Sequence, residues 1–245
     1  MLRPVGTPST VTPASPQHMV ETINEALVKT LPAASPARPG LRLGWAAKRM
    51  LDTAVALTAL CLLLPLLLFI ALLIWGSDGH PPIFRHTRLG RHGRAFGCLK
   101  FRSMVADGDA ILARHLAANA EARAEWEATH KLTQDPRVTA LGQVLRRTSL
   151  DELPQLWNVL RGEMSLVGPR PIVQAEVVRY GAAFTTCFSV PPGLTGLWQV
   201  SGRSDTGYAE RVALDCAYVS QWTLSRDLGI LIRTVPAVLS QRGSR

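Results

Sequence analysis

Two adjacent carboxylates, Asp151 and Glu152, lie in the run LRRTSLDELPQLWNVLRGEMSLVGPRP, Leu145 to Pro171, with Arg146 and Arg147 just ahead of them. Such a pair can supply a nucleophile, a base or oxygen ligands for a hard cation, and neighbouring guanidinium groups can neutralise a phosphoryl group. Helix capping is the simpler role. Ser149 with Glu152 fits a capping box, and Asp151 as N-cap would place Pro154 in the first turn, where its missing N–H matters little. In either register the carboxylates sit at a helix N-terminus whose partial positive charge favours their ionised forms. On spacing alone capping is the commoner explanation.

These residues must be positioned by what precedes and follows them. Residues 1–40 are rich in Pro, Ser, Thr and Ala and form an expected disordered tail, with one short helical pattern from Val20 to Leu31. Residues 41–78 hold the uncharged stretch Thr53 to Ser77, long enough to cross the hydrocarbon of a bilayer. Pro65 interrupts it, and cations flank both ends: Arg42, Lys48 and Arg49 before, Arg85, Arg88, Arg91 and Arg94 after. A helix kinked at Leu64–Pro65 that re-enters the same face would put both cationic flanks on the cytoplasmic side; plain spanning stays open.

Residues 79–245 form the expected catalytic domain. Pro82 to Met104 has the pattern of a basic hairpin turning at Gly90 to Gly93, and Asp107 to His130 that of an amphipathic helix. A further helix begins at Thr139 and carries Arg146 and Arg147. Pro191 to Arg203, PPGLTGLWQVSGR, is turn-rich and ends in a short strand, and Tyr208 to Leu239 has helical spacing with a helix start after Ser225. Arg226 and Arg233 beside apolar residues fit either a membrane-surface helix or ordinary core packing.

The formal charge of +9, from 27 Lys and Arg against 18 Asp and Glu, suits a phosphorylated substrate, an anionic membrane face or a nucleic acid. No helix-turn-helix, zinc-finger or interleaved aromatic pattern supports nucleic acid. Cys61, Cys98, Cys187 and Cys216 have no paired spacing, which points to a reducing compartment. His80, His86 and His92 form no ligand set.

With KFRSM at Lys100 to Met104, DPRVT at Asp135 to Thr139 and the PGLTGLWQV segment, the carboxylate run resembles the bacterial sugar transferase family, polyprenyl-phosphate phosphoglycosyl transferases with one membrane-embedded helix. The likeness extends from about Trp45 to near the C-terminus. Two departures are visible: Leu64 precedes Pro65 where the family has Ser, and His86 stands where it usually has Gln.

The resemblance implies a mainly α fold with a small β component, one re-entrant or spanning membrane helix and a compact cytoplasmic membrane-surface domain. It implies transfer of a sugar 1-phosphate from a UDP-sugar to undecaprenyl phosphate at the cytoplasmic leaflet of the inner membrane, as the first membrane step of exopolysaccharide or other glycan assembly. Asp151 would be the nucleophile and Glu152 would join it as ligand for Mg2+. Lys100, Arg102, Arg146, Arg147, Arg170 and Arg203 would be charge partners, with Pro169 and Pro171 shaping the nucleotide end. A homodimer is compatible with such an enzyme. A non-catalytic membrane adaptor of a polysaccharide assembly complex is the competing class.

Overall fold

The computed structural model describes residues 39–129, 132–202 and 207–239. The expected tail and Arg203 therefore lie outside the described residues, apart from the last two tail positions. Helix α1, Pro39–Asp78, is a single element that continues through Pro65. Its exposed residues include Leu62, Leu64, Leu68, Phe69 and Leu72. One stripe is different. Lys48, Asp52, Ala56, Leu60, Leu67, Ile70 and Ile74 recur at helical spacing and face the rest of the protein.

Both ends of that stripe are tied down. Near the start, Lys48 Nζ lies 2.6 Å from Asp227 Oδ2 and 3.7 Å from Asp52 Oδ1, with all three side chains buried. Asp52 Oδ2 accepts from the Ser165 hydroxyl at 2.7 Å, while Trp222 Nε1 and the Tyr218 hydroxyl donate to Asp227. Arg49 donates to the carbonyls of Val159 and Leu160, capping a short helix of the domain. At the far end Asp78 pairs with Arg102. The helix thus lies against one body from its first polar turn to its last.

Strands β1, Ile83–Leu89, and β2, Ala95–Phe101, form the expected hairpin. Its turn is closed by Gly90 N–H to Arg94 O at 2.8 Å and takes His92 and Gly93 into the left-handed region. The single helix expected over 107–130 is two, α2, Gly108–Ala118, and α3, Ala120–Thr129. Asn119 breaks it with an extended backbone, and its side chain then accepts from Ala122 N–H, restarting the helix as a cap.

Helix α4, Ala140–Arg147, starts as expected at Thr139, whose hydroxyl accepts from Gly142 N–H. Then come α5, Gln155–Leu160, and β3, Ser165–Val167, which pairs in parallel with β4, Gly193–Thr195. Between those strands lie the short helices α6, Val177–Tyr180, and α7, Ala183–Cys187. The short strand expected at the end of the Pro191–Arg203 run does not form there; the strand is Gly193–Thr195, near the start of the run. Leu197–Val200 is helical (α8), and α9, Tyr208–Ser220, and α10, Leu224–Leu239, complete the chain.

The β3–β4 contact is unusually close. A Cβ added at Gly168, Gly193 or Gly196 would run into backbone atoms of the facing segment. The main core gathers Phe96, Cys98, Leu156, Val159, Leu166, Tyr218 and Ile230 around these strands. A second cluster holds Ile172, Tyr180, Phe184 and Phe188.

Lys48 pairs with both buried carboxylates, Asp52 and Asp227, and removing it takes that charge from each of them. Lys48→Met should lower stability by about 3 kcal/mol or more, read as a fall in the thermal unfolding midpoint in detergent. An unchanged midpoint would show that the network does not anchor α1.

Candidate active site

The carboxylates occupy a 3-10 turn, Leu150–Glu152, between α4 and α5. No capping box forms. Ser149 sits in the left-handed region at φ 57° and makes no side-chain cap bond, and Pro154, not Asp151, precedes the first residue of α5. A non-glycine residue with positive φ is held there only by its surroundings. Consequently the carboxylates project from a tight corner and leave the helix N-terminus to Pro154.

The hairpin meets that corner. Lys100 Nζ lies 2.6 Å from Glu152 Oε1 and 3.9 Å from Asp151 Oδ2. Asn158, 1% exposed, fixes the strand that carries the lysine: its Oδ1 accepts from Leu99 N–H at 3.0 Å and its Nδ2 donates to Gly97 O at 2.8 Å. The same helix α5 thus follows the carboxylates and splices onto β2. On the other side, Thr139 N–H donates to Ser103 O, and Gly142 packs so tightly on the Ser103 backbone that a Cβ would collide with it. Arg146 Nε then reaches Ser103 Oγ at 2.9 Å.

Asp151 is 8% exposed. Burial pushes its carboxyl up to about 6; Lys100 and Arg146 oppose the shift, and the Glu152 charge adds to it. A carboxylate that keeps some proton affinity near neutrality is a stronger base and nucleophile than an exposed one. Cys98, on the same hairpin face, has its thiol pushed up by burial and stays a neutral wall residue.

The remaining predicted residues separate into four places. Lys100 and Arg146 stand at the carboxylates. Arg147 is exposed on α4, and Arg102 is turned away to Asp78 and to the carbonyls of His80 and Pro81, so its visible work is to tie the end of α1 to the hairpin. Pro169 and Pro171 are buried, and Pro169 O accepts from Gly193 N–H. Arg170, between them, places its guanidinium 5.8 Å from the centre of the Trp198 ring. Sequence reasoning missed Asn158, Arg88, Glu176 and Arg211. The alternation of Phe84, His86 and Arg88 along β1 was the available signal for Arg88.

Among the described residues, no group of three or more His, Cys, Asp or Glu side chains is arranged to hold a metal ion. Two neighbouring carboxylates nevertheless fit Mg2+, which commonly takes one or two protein carboxylates and completes its shell with water and substrate phosphate.

The family model described as bacterial sugar transferase matches residues 43–241. The exopolysaccharide production protein ExoY of Rhizobium meliloti is 51% identical over 202 residues, covering 82% of this chain and 89% of that protein. Undecaprenyl-phosphate galactose phosphotransferase of Salmonella typhimurium is 49% identical over 200 residues, 80% of this chain and 41% of the relative. UDP-glucose:undecaprenyl-phosphate glucose-1-phosphate transferase of Caulobacter vibrioides is 41% identical, with 79% and 70% covered. The chain thus spans most of ExoY and under half of the longer Salmonella protein.

Since Asp151 has a folded-state value of about 6 against 3.8 for an ordinary aspartate, its ionisation opposes folding above that range. Asp151→Asn should therefore stabilise the protein at pH 7.5, by up to about 3 kcal/mol. The gain should shrink as pH falls through 6 and vanish below 3.8, where the wild-type carboxyl is protonated folded or unfolded. Thermal melts across that range check the sign; destabilisation at pH 7.5 would contradict the buried-charge assignment.

Proposed function

The chain belongs to the bacterial sugar transferase family, and from that premise we propose that it transfers a sugar 1-phosphate from a UDP-sugar to undecaprenyl phosphate, releasing UMP. The observation that carries this reading is Asp151, buried and raised in proton affinity, facing Lys100 and flanked by Glu152.

In the proposed sequence an Asp151 carboxylate oxygen attacks the sugar-bearing phosphorus, and the bond to the bridging oxygen breaks with its electron pair leaving on UMP. An oxygen of the lipid phosphate then attacks the same phosphorus, the aspartyl P–O bond breaks, and the carboxylate is restored. Splitting the transfer in this way replaces one difficult displacement by two easier ones. Lys100 keeps the nucleophile oriented and counters the charge that gathers as the anionic donor approaches. Arg146, bonded to Ser103, adds positive charge from the opposite side. Asp151 and Glu152 would hold Mg2+ together with substrate phosphate, and the ion would offset the negative charge of the diphosphate.

Helix α1 supports a membrane-surface site. Both of its ends are bonded to one body, so both belong on the same side of a bilayer, and their cationic flanks favour the cytoplasmic side. With both ends on one face, a helix continuous through Leu64–Pro65 would lie in that face of the membrane and not cross it. A soluble nucleotide donor and a lipid acceptor can meet only at such a boundary. Exopolysaccharide assembly is the proposed pathway, in keeping with the names of its relatives.

Detergent-purified protein with Mg2+ should turn over one of a panel of UDP-sugars, releasing many equivalents of UMP when undecaprenyl phosphate is added in excess of enzyme and no more than one equivalent per enzyme without it. Asp151→Asn should abolish turnover while the protein still partitions with membranes. Full activity in that variant would remove the nucleophile assignment, and no UMP from any donor would remove the reaction.

The acid limb of kcat/KM should fall near pH 6, where Asp151 takes up its proton. In Lys100→Gln that limb should move to higher pH, because the cation that favours ionisation is gone. A shift to lower pH would exclude Asp151 as the titrating group.

A further inference from the structure

The hairpin face that carries Lys100 continues away from the carboxylates. Opposed residues in an antiparallel pair share a face, so Phe84 with Lys100, His86 with Cys98 and Arg88 with Phe96 form one row. Arg88 leans back along this row: its Nη2 stands 3.2 Å from His86 Nδ1. Its guanidinium is thereby brought to the level of the His86–Cys98 pair, two residues or roughly 7 Å along the strand from Lys100. Cys98 lies within electrostatic reach of both ends, Lys100 and Glu152 on one side and Arg88 and Arg170 on the other.

Beyond Arg88 the positive charge increases. Glu176 is shared between two guanidiniums, with Oε2 3.7 Å from Arg88 Nη1 and Oε1 3.3 Å from Arg211 Nη1. Its carboxylate also accepts from Val173 N–H and from the Tyr208 hydroxyl. Arg211 is only 8% exposed, yet its Nε and Nη2 donate no hydrogen bond. Asp215, the next acid, stands 4.0 Å from Arg211 Nε and accepts from Tyr180. Arg211 and Arg170 both stand over Trp198.

Three guanidiniums, Arg88, Arg170 and Arg211, thus converge on two carboxylates, leaving an excess positive charge in a place where water is scarce. Burial and the Arg170 charge both weaken the hold of Arg88 on its proton, and burial pushes Asp215 up to about 6, so the acids compensate incompletely. Buried donors without acceptors and unmatched positive charge are costly unless something anionic completes them.

We propose that Arg88 and Arg211, clamped by Glu176, bind the phosphate of the nucleoside monophosphate half of the donor, one step along the hairpin face from Lys100 and the carboxylates. The assignment rests on the donor being a nucleoside diphosphate sugar. It gives the donor a direction: sugar-bearing phosphorus at Asp151, departing nucleotide toward Trp198. Glu176 is a positioning residue, since it acts through the two arginines.

Titration calorimetry of the full chain in detergent, with UMP, uridine and inorganic phosphate as probes, tests the site. UMP should bind the wild type more tightly than uridine. Arg88→Gln and Arg211→Gln should each weaken UMP by roughly tenfold or more, the scale of a lost charge-assisted bond. The same variants should raise KM for the UDP-sugar and leave KM for undecaprenyl phosphate within about twofold. Arg88→Lys should recover part of the loss. Thermal melts accompany each variant, and if Arg211→Gln does not fold, Arg88→Gln decides alone.

UMP affinity unchanged in folded Arg88→Gln would overturn the site. If the wild type turns over a UDP-sugar in that case, the proposed reaction stands without it. If UMP binds as described but no UDP-sugar is turned over, the site survives and the reaction does not.

Discussion

One ammonium group joins the two halves of the chemistry. Lys100 belongs to a strand, and Asp151 and Glu152 to a 3-10 corner some fifty residues later; their contact exists only because both parts are held independently. Asn158 ties the strand to the helix that follows the corner, while Gly142 and Thr139 seat the preceding helix on Ser103. Were the strand to slip by one residue, Lys100 would turn to the opposite face. Asp151 would then be a buried charge with one cation fewer beside it.

Much of this arrangement was legible beforehand. The hairpin followed from alternation and a glycine turn, α4 from Thr139, and the carboxylates from their adjacency. The capping box failed for a reason no spacing reveals: Ser149 adopts a left-handed conformation imposed by the packing around it, so its hydroxyl never reaches the Glu152 amide. Arg102 and Lys100 look alike in KFRSM, but a strand sends alternate side chains to opposite faces of the pleat only once its register and surroundings exist. Lys100 and Arg102 share a parity, and it is the end of the strand at Phe101 together with Asp78 that draws Arg102 away.

The same limit applies to Glu176 and Arg211, which are 35 residues apart and meet through folding. Helix α1 shows the opposite case. Its apolar length was obvious, yet its lateral attachment depends on Lys48, Asp52 and Asp227, polar residues that a hydropathy profile treats as boundaries. In a bilayer those groups give the helix an orientation that lipid alone does not supply.

The tight parallel pairing of β3 and β4 affects how relatives should be compared. Gly168, Gly193 and Gly196 face backbone with no room for a methyl group, so the PGLTG segment and the glycine before Pro169 are mechanically constrained. A descendant that had lost transfer altogether would still have to keep them in order to fold. Their presence in a distant sequence therefore diagnoses shared architecture. Drift at Asp151, Glu152 or Lys100, where folding makes no comparable demand, is the more sensitive record of whether a lineage has retained its chemistry.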